Sequence, residues 1–141
     1  MDPARLTAIP IFSHLSPDEA RRLATYATET SIAEGHILMK EGDYSVELIA
    51  IEEGTADVIR NGEKIASLKA GDLIGEMGLL ERRPRSADVI ATSPMRLQKL
   101  THWEIRRMSD DTVSRIEQMI EERRRSGAAD PADPGADGSS G

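Results

Sequence analysis

Between Thr30 and Leu100 the chain is cut at short, regular intervals by residues that favour turns: Gly35, Gly42-Asp43, Gly54, Asn61-Gly62, Gly71-Asp72 and Ser93-Pro94. What lies between the cuts is too short for ordinary helices and reads as strands: Thr30–Ala33, His36–Lys40, Glu47–Glu52, Thr55–Arg60, Glu63–Leu68, Asp72–Ile74, Ser86–Ala91 and Met95–Leu100. Asn61-Gly62 is the strongest of the turn signals. A two-residue type I′ turn demands positive φ at both positions, and alternating residues flank this pair. The alternation in VELIAIEEG and TADVIRNGEKIASL makes Leu48, Ala50, Val58, Ile65 and Leu68 the expected inward positions. Eight short strands punctuated this regularly predict a mainly β chain, an eight-stranded antiparallel β-roll or sandwich. One insertion interrupts it, at residues 71–89.

Helical signals lie on both sides of this region. Residues 3–8 can form a short helical turn carrying Leu6, with Ile9 after it and Pro10 as its end. Ser16, Pro17 and Glu19 then supply a cap, a proline at the first helical position and an acid reaching back to the cap. Ala20, Leu23, Ala24 and Ala27 share one face of the helix that follows, and Phe12 and Leu15 are expected to plug into the same core. After the last strand, Thr101 and Glu104 form a second capping box, with a helix through WEIRRM to about Met108. Trp103 in its first turn reads as a packing residue at the helix–sheet junction rather than a ligand platform. After a break at Ser109-Asp110-Asp111, a last helix from Thr112 to Arg125 carries Val113, Ile116, Met119 and Ile120 on one stripe. Arg123 to Arg125 suit the negative end of its macrodipole.

The insertion reads GDLIGEMGLLERRPRSADV. A short helix whose start is crowded with glycine leaves backbone N–H groups unpaired and aimed at one point, a place for an anion. Pro84 fixes its own backbone and biases Arg83 toward extended structure, so Arg85 enters the next strand in a defined direction. Its guanidinium fork suits phosphate oxygens. A carboxylate beside a phosphate would repel it, so Glu76 fits only as an acceptor of hydrogen bonds from another part of the ligand, such as sugar hydroxyls.

These residues resemble the phosphate-binding cassette of cyclic nucleotide-binding domains, of the cAMP-receptor and protein kinase A regulatory-subunit type. The pattern appears as Ile74-Gly75-Glu76-Met77-Gly78-Leu79 and Pro84-Arg85-Ser86-Ala87. The departures are Ile74, where an aromatic is common, and Asp88, where a hydroxyl residue is common. The resemblance covers about residues 9–120. It implies a jelly-roll sheet with N-terminal helices, a short cassette helix and two C-terminal helices. It also implies that Glu76 binds the ribose 2′-hydroxyl, that Arg85 pairs with the cyclic phosphate, and that amides near Gly78, Leu79 and Ala87 complete the cradle, with Gly75, Met77 and Ser86 also among the ligand-binding residues. The last helix becomes a lid, with Ile116, Met119 or Ile120 capping the purine. The alternative for that stripe is packing on the roll or on a second copy of the chain as a homodimer. A hydroxyl at Ser86 can touch a guanine amino group, yet cAMP receptors also carry Arg-Ser-Ala, and cAMP is favoured over cGMP.

Composition trims the remaining classes. The 141 residues suit one core, and with only 3% aromatics that core must be aliphatic. The expected division is a helical segment 1–29, the roll 30–100 with its cassette at 71–89, hinge and lid helices 101–125, and a disordered tail 126–141 rich in Gly, Pro and Asp. Net charge is −7, and since Asp130, Asp133 and Asp137 lie in the tail, residues 1–125 carry 18 cations and 22 acids, a net −4. That balance argues against a nucleic-acid surface. There is no cysteine, no apolar run long enough for a bilayer, and no ligand spacing among His14, His36 and His102. No nucleophile–base or paired-carboxylate arrangement is indicated. The reading is a cytoplasmic, non-enzymatic sensor of a cyclic purine nucleotide. It has no metal or prosthetic group, and it acts on an unidentified protein effector by moving its C-terminal helices. Its rivals are a module that keeps the fold for docking or dimerisation without nucleotide, and a roll that senses another effector.

Overall fold

The computed structural model describes residues 2–43, 47–74, 87–108 and 110–125, without the side chains of Ile11, Met119, Ile120 and Arg123 to Arg125. The chain opens with helix α1 (Pro3–Thr7), a 3-10 turn Pro10–Phe12 and helix α2 (Pro17–Tyr26). Pro10 therefore starts a second turn as well as closing the first. Strands β1 (Thr28–Ile32), β2 (Ile37–Met39), β3 (Glu47–Glu53), β4 (Ala56–Arg60), β5 (Glu63–Leu68), β6 (Leu73–Ile74), β7 (Asp88–Ala91) and β8 (Met95–Thr101) follow, then helices α3 (His102–Arg106) and α4 (Asp110–Arg125). The last helix begins two residues before the expected Thr112. Asp110 and Asp111 belong to its first turn, where acids suit the positive end of the macrodipole.

The strands form two four-stranded antiparallel sheets, ordered β1-β8-β3-β6 and β2-β7-β4-β5. The mainly β, two-sheet roll is thus the architecture. Between the sheets lies one aliphatic cluster that includes Ile49, Ile51, Val58, Leu68, Ile74, Val89, Met95 and Leu97. The other face of the first sheet is covered by the helices. There Leu48, Ala50, Leu73 and Leu100 join Leu6, Ile9, Phe12, Leu23, Ile105 and Ile116. So β3 is buried on both faces, which is why Leu48-Ile49-Ala50-Ile51 is a continuous apolar run instead of the alternation read from the sequence.

Local geometry follows local sequence closely. Both capping boxes form, at Ser16–Glu19 and Thr101–Glu104. Asn61 and Gly62 take φ of 53° and 78°, and the hairpin closes with Arg60 opposite Glu63. Two further expectations fail. Ile65 is 43% exposed. The β4–β5 register steps from Val58↔Ala66 to Ile59↔Lys64, so Ile65 is the extra residue of a bulge and Ala66 turns inward in its place. Trp103 is 71% exposed instead of packed at the junction. The cap at Thr101 sets the helical phase so that His102 and Ile105, three apart, face the core, and Trp103 is rotated away from it.

A charge network fastens α1 to the first sheet. Arg5 donates from Nε and Nη2 to the two carboxylate oxygens of Glu52, at 2.9 and 2.6 Å, and from Nη1 and Nη2 to Glu29, at 3.1 and 2.8 Å. Gln98, 1% exposed, donates to the same Glu52. The Arg5 hydrogen bond is the main reason that the Glu52 carboxyl titrates below its ordinary 4.5, and Arg5 is held more firmly protonated in return. The Glu19 carboxyl is likewise depressed, first by a hydrogen bond from Thr112 and then by the Ser16 amide. A carboxylate with a depressed folded value contributes stability that is present above the unfolded value and is lost as pH falls through the folded one. Urea midpoints should therefore hold from neutral pH to near 4.5 and drop below it, and Glu52→Gln should flatten that drop; an unchanged acid limb in the variant would refute the assignment.

Candidate functional site

Glycine at the start of the cassette is a matter of backbone geometry. Gly71 has φ of 96°, donates its amide to Ile51 O at 2.8 Å, and is followed by Asp72, whose Oδ2 accepts from the Lys69 amide at 2.8 Å. Asp72 therefore closes a turn. β6 then pairs with β3 as the edge strand of the first sheet, Leu73 opposite Ala50 and Ile74 opposite Ile49. Ile74 is fully buried in the inter-sheet cluster.

The chain re-enters at Ala87, also fully buried in that cluster, and continues as β7 between β2 and β4 of the second sheet. Asp88 Oδ1 accepts from the Glu41 amide at 2.7 Å and ties β7 to the turn after β2. Of the residues expected to form the cradle, Gly75, Glu76, Met77, Gly78, Leu79, Arg85 and Ser86 lie outside the described residues. The two points at which their segment is attached are described. Their segment leaves from an edge strand of one sheet and returns into an inner strand of the other, and both ends root in the same apolar cluster.

Of the expected lid residues, the Met119 side chain lies outside the described residues, while Ile116 is 1% exposed and packed in the helical cluster with Phe12 and Leu23, Val113 lying against it. Sequence reasoning gave Glu19 a capping role only. The fold adds a second one, since Glu19 accepts from both Thr112 and Arg115 of α4. Thr112 lies 93 residues away along the chain, and no local signal pairs the two.

Among the described residues no cluster of His, Cys, Asp and Glu could hold a metal ion. His14 and His36 are exposed and His102 is buried. No helix among the described residues is long and apolar enough to cross a membrane.

A family model described as the cyclic nucleotide-binding domain matches residues 29–111. A cAMP-dependent protein kinase regulatory subunit from Hypocrea atroviridis is 35% identical over 95 residues, 67% of this chain and 21% of the relative. The chain thus spans about a fifth of the length of that curated relative. The regulatory domain of Toxoplasma gondii PKA, solved with cAMP, superposes with a TM-score of 0.70 at 23% identity, covering 88% of this chain and 51% of that one. The regulatory subunit of a cAMP-independent protein kinase A from Trypanosoma brucei superposes with a TM-score of 0.76 at 23% identity, covering 95% and 46%.

Proposed function

The chain belongs to the cyclic nucleotide-binding domain family, and from that premise we propose that it is a regulatory domain that takes cAMP in preference to cGMP and reports occupancy through α3 and α4. One observation carries the reading: Glu76 and Arg85 stand in the family's cassette order, in a segment whose two ends are rooted in one core. Arg85 supplies the charge partner of the cyclic phosphate, and Glu76 accepts from the ribose 2′-hydroxyl. The amides of Gly75, Met77, Gly78, Leu79, Ser86 and Ala87 line the cradle, and Ile116 or Met119 comes to the base as a lid. The domain does no bond chemistry of its own. Its output is the position of its C-terminal helices, read by a protein effector, and the ligand can move them only as far as it prefers one arrangement over another.

A relative solved with cAMP supports that ligand. A second reading draws on the relative described as cAMP-independent, which superposes at least as well: the same roll acting as an interaction or dimerisation module without cyclic nucleotide. Calorimetry separates the two. The proposal expects saturable heat with cAMP and weaker binding of cGMP. Absence of heat and of amide chemical-shift change at about 1 mM of both nucleotides, a level that detects about 4 kcal/mol of binding, would overturn the cyclic-nucleotide reading and favour the docking module.

A further inference from the structure

Glu19 is divided between two helices. Oε1 accepts from the Ser16 amide at 2.9 Å and completes the capping box that starts α2. Oε2 accepts from Thr112 Oγ1 and from Arg115 Nη2, the latter at 3.1 Å, both in the first two turns of α4. Arg115 is aimed from its own helix by Asp111, at 2.7 Å. This is no ordinary surface pair, since the Glu19 side chain is 14% exposed and Thr112 only 1%. Next to these polar contacts, Val113 and Ile116 press into the cluster built by Leu6, Ile9, Phe12 and Leu23. The carboxylate and the apolar stripe together seat α4 on the N-terminal helices.

A lid needs the same residues elsewhere. With Ile116 as the capping residue, one side chain cannot be buried among the N-terminal helices and lie over a purine at the same time, so α4 then has two seats, and the Glu19 contacts belong to the one seen here. We propose that Glu19 is a latch that holds α4 on the N-terminal helices in the unliganded domain and is released when cyclic nucleotide draws the helix over the base. The inference rests on the reading of α4 as a lid. Apparent affinity falls by the fraction of molecules whose lid is free, so the latch sets the concentration at which the sensor responds.

The double variant Thr112→Val with Arg115→Gln removes the α4 side of the latch and leaves the Ser16–Glu19 cap intact. Because the chain has no cysteine, Arg22→Cys and Gln118→Cys, both at exposed positions on α2 and α4, accept spin labels cleanly. Without ligand, the label-to-label distance distribution should be longer and broader in the double variant than in the parent, and cAMP should shift the parent the same way. Arg115→Gln alone, which keeps the buried Thr112, should give a smaller shift in the same direction. Binding of cAMP to the double variant should be about fivefold tighter than to the parent, the low end of ordinary coupling between sites. A distribution unchanged by the double substitution overturns the latch, as does a freed helix with unchanged cAMP affinity. If parent and variant both fail to bind cyclic nucleotide, the proposed ligand is wrong, and the unliganded distance measurement still decides whether Glu19 holds α4.

Discussion

Replacing Arg85 with alanine should weaken cAMP binding at least tenfold. A guanidinium paired with a cyclic phosphate makes two parallel charge-assisted hydrogen bonds, each contributing about 1.5–3 kcal/mol, against about 1.4 kcal/mol for each factor of ten in affinity. Truncation also leaves the phosphate's charge facing a cradle of amides alone, so tenfold is a floor. Lysine at this position should recover only part of the loss, because a point charge on a flexible stem cannot reproduce the fork. Glu76→Gln should cost less than Glu76→Ala, since the amide oxygen still accepts from the ribose, and the alanine variant should no longer favour cAMP over its 2′-deoxy analogue. Titration calorimetry on the four variants reads all of this. Parent-like binding by both Arg85 variants would remove Arg85 from the site.

The largest effect on folding is expected at Gly54, far from the cassette in sequence. Here the chain leaves β3 of one sheet for β4 of the other, and it passes directly against the return crossing from β7 to β8. Thr55 stitches the two crossings together through its amide to Ser93 Oγ at 3.0 Å, its carbonyl to the Thr92 amide at 2.9 Å, and its hydroxyl to Thr92 Oγ1 at 2.8 Å. Gly54 has φ of 99°, and a Cβ there would lie 2.5 Å from Pro94 O and 2.8 Å from Met95 Cγ. Two costs therefore add: about 1–2 kcal/mol for a side chain at positive φ, and about 1–3 kcal/mol for forcing backbone and packed neighbours apart. Gly54→Ala should lower stability by about 2–5 kcal/mol, a large share of the about 5–15 kcal/mol of a typical domain. Gly42 also has φ of 88° but open space where its Cβ would stand, so Gly42→Ala should show only the first cost. Urea unfolding of both, with unchanged m-values, isolates the clash. Equal midpoints for the two variants would mean that the crossings are not in contact.

The parts of this protein legible in its sequence are those whose determining contacts span a few residues. Ser16 with Glu19, Thr101 with Glu104, and Asn61 with Gly62 settle their own geometry, because the capping oxygen and the positive φ are satisfied within one turn of chain. Eight strands and the flanking helices follow from that punctuation, and Glu76 and Arg85 stand out because the cassette's order is itself local. Tertiary structure decided the rest. One bulged residue in β5 reversed the face on which Ile65 falls, and no pattern within the strand carries that information. Ile116 is buried because the N-terminal helices cover one face of the first sheet, a fact of packing among segments about a hundred residues apart. Arg5 finds Glu52 at a separation of 47 residues, and Glu19 finds Arg115 at 96. Such pairs cost loop closure before they return any energy, so they form only where the apolar core has already brought the elements together.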